Sequence, residues 1–205
     1  MSWLNELELL LTEFLNNAGI WAPFFASILV FLEGILAFLP LFVFVTVNIL
    51  SLSNIFGSFL GSIFGVILSW IFSVLGSYTM FMGIRKLFGQ KFREKIKSKP
   101  KVTKFMNIVD KLTYSQLVLI TSIPFSPSFF INLGAGLSTI NRKKYFCALL
   151  IGKFAEMIFL GYVGVSLVEC LTNPLALIKV AIIMIVGYGI SWIVNKKFDL
   201  DERFE

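Results

Sequence analysis

Between residues 34 and 84 no side chain carries a charge. This feature constrains the fold more than any other. An apolar run of that length needs a bilayer around it, since about 20 such residues already suffice to span one. In lipid, every backbone N–H and C=O must find its partner within the protein, which restricts such segments to helices or closed barrels. The run lacks the polar alternation of a barrel strand. Composition agrees: of 205 residues, 57% are hydrophobic and 15% charged, with a mean hydropathy of +0.86, against about a quarter charged in soluble domains. The expectation is an all-α integral membrane protein with one membrane domain.

Residues 3–15 place Trp3, Leu4, Leu7, Leu10, Leu11, Phe14 and Leu15 at helical spacing with acids between them, predicting an N-terminal amphipathic helix over 1–18. No basic region opens the chain, so no cleavable signal is expected. The membrane domain spans 19–197 and contains five apolar blocks. The first, 20–52, is interrupted by Glu33 and Pro40. The second is 55–84. A basic segment over 85–112 follows, with nine Lys or Arg and one acid between 85 and 104. The third block, 117–140, precedes Arg142, Lys143 and Lys144. The fourth is 145–168. The fifth, 175–194, ends at Lys196 and Lys197, before a tail over 198–205.

Basic loops favour the cytoplasm, so all three basic clusters belong on one side. The third block lies between two of them and therefore enters and leaves on the same face. Its sequence, TSIPFSPSFFINLGAG (121–136), suits a re-entrant hairpin. Pro124 and Pro127 stop helices, Ser122, Ser126, Ser128 and Asn132 offer uncharged polar groups, and Gly134 and Gly136 allow close approach. The turn falls at Pro124–Pro127 or at Asn132–Gly136. The first block reads as its mirror image, dipping from the outer face and turning near Ala37–Pro40. Hairpin plus span, repeated upside down, with an extra closing span, is a transporter architecture.

Glu33 is a carboxylate at membrane depth, where a charge costs about 2.5–3.5 kcal/mol. It reads either as an interfacial residue or as a group that titrates protons or senses headgroups. Lys153 and Glu156, three apart on the fourth block, can pair on one helix face. Arg85 is a membrane-surface anchor or a phosphate contact. The run 91–104 suits anionic lipid better than nucleic acid. A ladder of Gly57, Gly61, Gly65, Ser69, Ser73 and Ser77 predicts a smooth stripe for close helix packing. Cys147 and Cys170, about 35 Å apart on one helix, are free thiols. Histidine is absent, and no catalytic triad, metal cluster or phosphate loop occurs. Neither an enzyme nor a cofactor is expected.

These motifs resemble a known superfamily. FLEGILAFLP carries Glu33 and Pro40; GSFLGSIFG and GSYTMFMGIRKLFGQKF carry a glycine-rich span with Gly83, Arg85, Lys86 and Gly89. SIPFSPSFFINLGAGLSTINRKKYFCALLIGK carries Pro124, Pro127, Asn132, Gly136, Phe146, Gly152 and Lys153. Over residues 19–164 the chain resembles the DedA-like proteins, also called the VTT-domain or SNARE-associated Golgi protein superfamily. It departs from them at Ala37, where a first proline is usual, and at Thr121 or Ser122, where many relatives have arginine. Ala155 or Glu156 stands where a proline is common. The resemblance implies two opposed re-entrant hairpins and the movement of phospholipids or polyprenyl phosphates between leaflets.

The resulting expectation is a lipid transporter or scramblase, multi-pass in a bacterial plasma membrane, with a cytoplasmic C-terminus. Its substrate set is Glu33, Pro40, Arg85, Pro124, Pro127, Asn132, Gly136, Lys153 and Glu156. Arg85 and Lys153 would favour a phosphate, and Asn132 and the serines would bond the headgroup. The partners are phosphate-headgroup lipids, with protons or cations as candidate coupling species; a homo-oligomer is compatible with the sequence. Two alternatives remain open: a proton- or cation-coupled carrier of small solutes, and a non-transporting lipid-binding scaffold that works through the basic segment.

Overall fold

The computed structural model describes residues 17–36, 39–87, 100–124 and 128–172, and the single positions 178, 181, 182, 185, 186 and 189. The N-terminal amphipathic segment, Ala37, residues 88–99, Ser126, Pro127, most of the fifth block and the tail lie outside the described residues. Every element among the described residues is helical: α1 (Trp21–Leu36), α2 (Leu41–Phe56), α3 (Ser58–Leu87), α4 (Pro100–Lys111), α5 (Tyr114–Ser122), α6 (Ser128–Leu137) and α7 (Arg142–Thr172). Among them only α3 and α7 are long and apolar enough to cross a membrane. With 16 residues each, α1 and α2 reach about 24 Å, short of a hydrocarbon core of about 30 Å. The 9 residues of α5 and 10 of α6 reach only about 15 Å each.

The first apolar block breaks where its proline predicts: α1 ends at Leu36 and Pro40 precedes α2. It also runs further than its apolar pattern suggests, to Phe56, where Gly57 turns the chain at φ +82°. Gly57 is therefore a left-handed hinge between two helices, not the first rung of the small-residue stripe. The stripe begins at Gly61. Gly61 lies against Ser53 and Gly65 against Ile49, and Asn48 Nδ2 donates to Ser69 Oγ at 2.9 Å. These pairings run in opposite directions along the two chains, so α2 and α3 are antiparallel. Ser27 Oγ reaches Asn48 Oδ1 at 3.4 Å, while Gly34 packs on Gly76 and Ser77. Hence α1 runs parallel to α3, and beyond Gly34 its Ile35 packs against the cluster of Met80, Ile84, Met106 and Leu137.

The third block breaks at its prolines. Thr113 and Gln116 form a reciprocal capping box that starts α5, satisfying two orphan donors. The helix ends at Ser122, and α6 starts at Ser128. Asn132 and Gly136 therefore lie inside α6, not in a turn. Asp110 Oδ1 accepts from Thr139 N at 2.7 Å and Thr139 Oγ1 at 3.0 Å. The chain entering α5 and the chain leaving α6 thus lie side by side. Asn141 Oδ1 caps the start of α7 through Lys143 N at 2.8 Å, so Arg142–Lys144 form its first turn. Lys144 Nζ donates to Leu112 O at 2.7 Å.

Helices α3 and α7 pack antiparallel. Phe81 stacks near Tyr145 (4.6 Å between ring centroids), Tyr78 near Phe146 (4.9 Å) and Trp70 near Phe154 (5.5 Å), and Trp70 Nε1 donates to Leu150 O at 2.8 Å. Two cores result. Phe81, Leu117, Ile120, Ala135, Tyr145 and Leu149 join α3, α5, α6 and α7. Val30, Leu41, Val45, Ile49, Met157 and Leu160 join α1, α2 and α7. The outward face of α3 keeps Phe59, Leu60, Ile63, Phe64, Ile67 and Ile71 exposed, an apolar surface suited to acyl chains.

Candidate functional site

The α1–α2 pair enters from the Ser58 end of α3, and the α5–α6 pair from the Arg85 end. They overlap near the middle of the bundle. There Asn132 Nδ2 donates to Gly34 O at 3.2 Å, and Tyr145 OH donates to Asn132 Oδ1 at 2.6 Å. Asn132 is 1% exposed. Its amide ties α6 to α1 on one side and to α7 on the other.

Three charged side chains are buried in the same region. Lys153 Nζ donates to Glu156 Oε2 at 2.6 Å and to Ser128 Oγ, at the start of α6, at 3.0 Å. Glu33 on α1 is 7% exposed. It couples electrostatically with both Lys153 and Glu156, and its Oε2 has no hydrogen-bond partner. One cation therefore lies within electrostatic reach of two buried acidic side chains and is bonded to one of them. The hydroxyls of Ser73 and Ser77, both fully buried on α3, also lack partners; the register of α1 on α3 sets them level with Glu33. Buried polar atoms are normally bonded, so this concentration of unmet groups marks a polar interior rather than a finished core.

The helices can come this close because small residues line the approaches. A Cβ on Gly34 would strike the backbone at Gly76 and Ser77, and one on Gly76 would strike Phe31 O. On α7, a Cβ on Gly152 would strike Thr121, whose hydroxyl donates to Leu117 O at 2.8 Å and reaches Ala148 O at 3.3 Å.

Of the residues singled out by sequence, Glu33, Asn132, Lys153 and Glu156 come together. Gly136 lies where α6 meets Ile84 of α3, nearer the basic end. Pro40 is exposed at the start of α2, and Pro124 is half-buried at the α5–α6 break. Arg85 lies at the far end of α3, with its guanidinium on the carbonyls of Ala135, Ser138 and Ile140. Tyr145, Ser27, Asn48 and Gly76 escaped the sequence reading. Asn48 carried a usable signal, since an amide inside an uncharged apolar run needs a buried partner.

The VTT domain model matches residues 47–166, from within α2 to within α7, so Glu33 and Pro40 precede the matched region. The chain is also 32% identical over 189 residues to the "Uncharacterized membrane protein YhjE" of Bacillus subtilis (strain 168), covering 92% of this chain and 86% of that protein. No solved structure matches the chain. With more than half of its length matched and a relative aligned almost end to end, the chain is a membrane protein belonging to the VTT-domain family.

Proposed function

We propose that this protein moves lipids between the leaflets of a bacterial plasma membrane, as a multi-pass transporter or scramblase without enzymatic activity. The α1–α2 and α5–α6 pairs act as re-entrant hairpins that dip in from opposite faces, the two halves of an inverted repeat. Their short helices support this reading, as does the gathering of Arg85, Arg142, Lys143 and Lys144 at one end of the bundle, which basic-inside bias assigns to the cytoplasm. The observation that carries it is the buried set of Glu33, Lys153 and Glu156 where the hairpins overlap. Charges at that depth are costly and line pathways for polar cargo. A headgroup would pass along this polar seam while its acyl chains stay on the exposed apolar faces, with Lys153 drawing the phosphate and Asn132 and Ser128 bonding its oxygens.

Reconstitution in liposomes carrying a fluorescent phospholipid or polyprenyl phosphate tests this. Bleaching by a membrane-impermeant reductant should proceed beyond the outer leaflet. Bleaching that stops at the level of protein-free vesicles for both lipid classes would refute it. A second reading, a proton- or cation-coupled carrier of small solutes, draws on the unpartnered Glu33 oxygen. Solute uptake abolished by Glu33→Gln, with no lipid movement, would favour it.

A further inference from the structure

Arg85 stands at the last turn of α3, at the membrane end where a phosphate-binding arginine would be expected to face its ligand. Its guanidinium is turned inward instead. Nη1 donates to Ile140 O at 2.8 Å, and Nη2 donates to Ser138 O at 2.8 Å and Ala135 O at 3.0 Å. The plane lies over the Phe81 ring, with Cζ 4.5 Å from its centroid. These carbonyls belong to Ala135 in the last turn of α6 and to Ser138 and Ile140 just beyond it, where a helix leaves acceptors unsatisfied and carries partial negative charge. Ser138 Oγ, donating to Ala135 O at 2.9 Å, and Ser138 N, donating to Gly134 O at 2.9 Å, complete the closure. A planar fork with five donors fits several carbonyls at once, which a lysine cannot do.

We propose that Arg85 is a positioning residue: it caps the exit of the α5–α6 hairpin and locks that hairpin to α3, and it does not read the lipid headgroup. The hairpin is then held at every level. Arg85 secures its exit, Thr139 on Asp110 its mouth, Thr121 on Ala148 O its wall and Lys153 on Ser128 its inner end. By contrast, among the described residues the side chain that bonds across to the first hairpin is Asn132, on Gly34 O at 3.2 Å. The α5–α6 hairpin is the fixed wall of the seam, and the opening that admits a headgroup occurs between α6 and α1. This assignment of the opening rests on the lipid-movement reading; the capping role of Arg85 does not.

The test compares Arg85→Gln and Arg85→Lys with the native side chain through two readouts. The first is the distance between spin labels at Leu87→Cys and Phe130→Cys, both exposed positions, in a background lacking Cys147 and Cys170. The second is transfer in liposomes of a fluorescent phospholipid and of a fluorescent glycosylceramide, which has no phosphate. Positioning predicts a longer or broader label distance in Arg85→Gln, partly restored in Arg85→Lys, and loss of both transfers by the same factor. An unchanged distance with loss confined to the phosphate lipid would overturn the proposal. If the native protein moves neither lipid, the lipid reading fails while the label distances still decide the role of Arg85. If Arg85→Gln cannot be recovered folded, Arg85→Lys carries the same comparison, because it keeps the charge and loses the fork.

Discussion

Replacing Lys153 with methionine keeps the length and apolar stem of the side chain and removes the cation that is bonded to Glu156 and lies within electrostatic reach of Glu33. Lys153 is 1% exposed, Glu156 2% and Glu33 7%. Solvent cannot take over its role, and Ser128 Oγ loses its 3.0 Å donor. Breaking a buried ion pair from one side costs about 3–5 kcal/mol, because the abandoned charge stays buried. At 1.4 kcal/mol per decade this lowers the folding equilibrium by about two to three and a half decades. Glu156→Gln should be milder, about 1.5–3 kcal/mol, the usual worth of a hydrogen bond to a charged group. It leaves Lys153 bonded to Ser128 and within electrostatic reach of Glu33. Unfolding in mixed micelles, followed by tryptophan fluorescence, reads both variants. Trp70 is a suitable reporter, since it donates to Leu150 O and packs on Phe154, on either side of Lys153. A Lys153→Met protein that unfolds with the native one, or a Glu156→Gln protein less stable than Lys153→Met, would refute the shared-cation arrangement.

Other substitutions probe the approaches to the site. Gly76→Ala sets a Cβ against Phe31 O and should cost about 1–3 kcal/mol, as overpacking does. Gly83→Ala on the same helix meets nothing within 4 Å and should stabilise by up to about 1 kcal/mol through helix propensity; the same unfolding assay separates the two. Asn132→Ala removes the tie to Gly34 O and strands the Tyr145 hydroxyl, a loss of about 1–3 kcal/mol, read as a lower unfolding midpoint. Glu33→Gln keeps the shape and removes the charge; liposome transfer should fall sharply with little change in unfolding.

The uncharged run, the basic clusters and the prolines made the order of helices readable from sequence, because each acts locally: lipid demands helices, and proline interrupts them. The break at Pro40 and the split of 121–136 followed. The choice between two candidate turns did not, since the serines, the asparagine and the glycines serve equally in a loop or in a helix that packs closely. Gly57 was misplaced for a related reason: its spacing fits the stripe, and only its backbone angle shows a hinge. Glu33, Lys153 and Glu156 stood out individually as charges in apolar blocks. Their meeting depends on how α1 and α7 both pack against α2 and α3, which no local pattern encodes. The charge of Arg85 suggests a phosphate, whereas its partners are carbonyls at and just beyond the end of α6, 50 to 55 residues away in sequence.

The movement of lipid through a seam requires two hairpins that enter from opposite faces without crossing. Single cysteines placed in a background lacking Cys147 and Cys170 test this by labelling with a membrane-impermeant thiol reagent on intact and on opened cells. Ile20→Cys and Phe56→Cys flank the first hairpin, and Tyr114→Cys and Arg142→Cys flank the second; all four positions are exposed. The first pair should label on intact cells, and the second pair only after the membrane is opened. Labelling of the two members of either pair from opposite sides would contradict the hairpin architecture, and the proposed route for lipid with it.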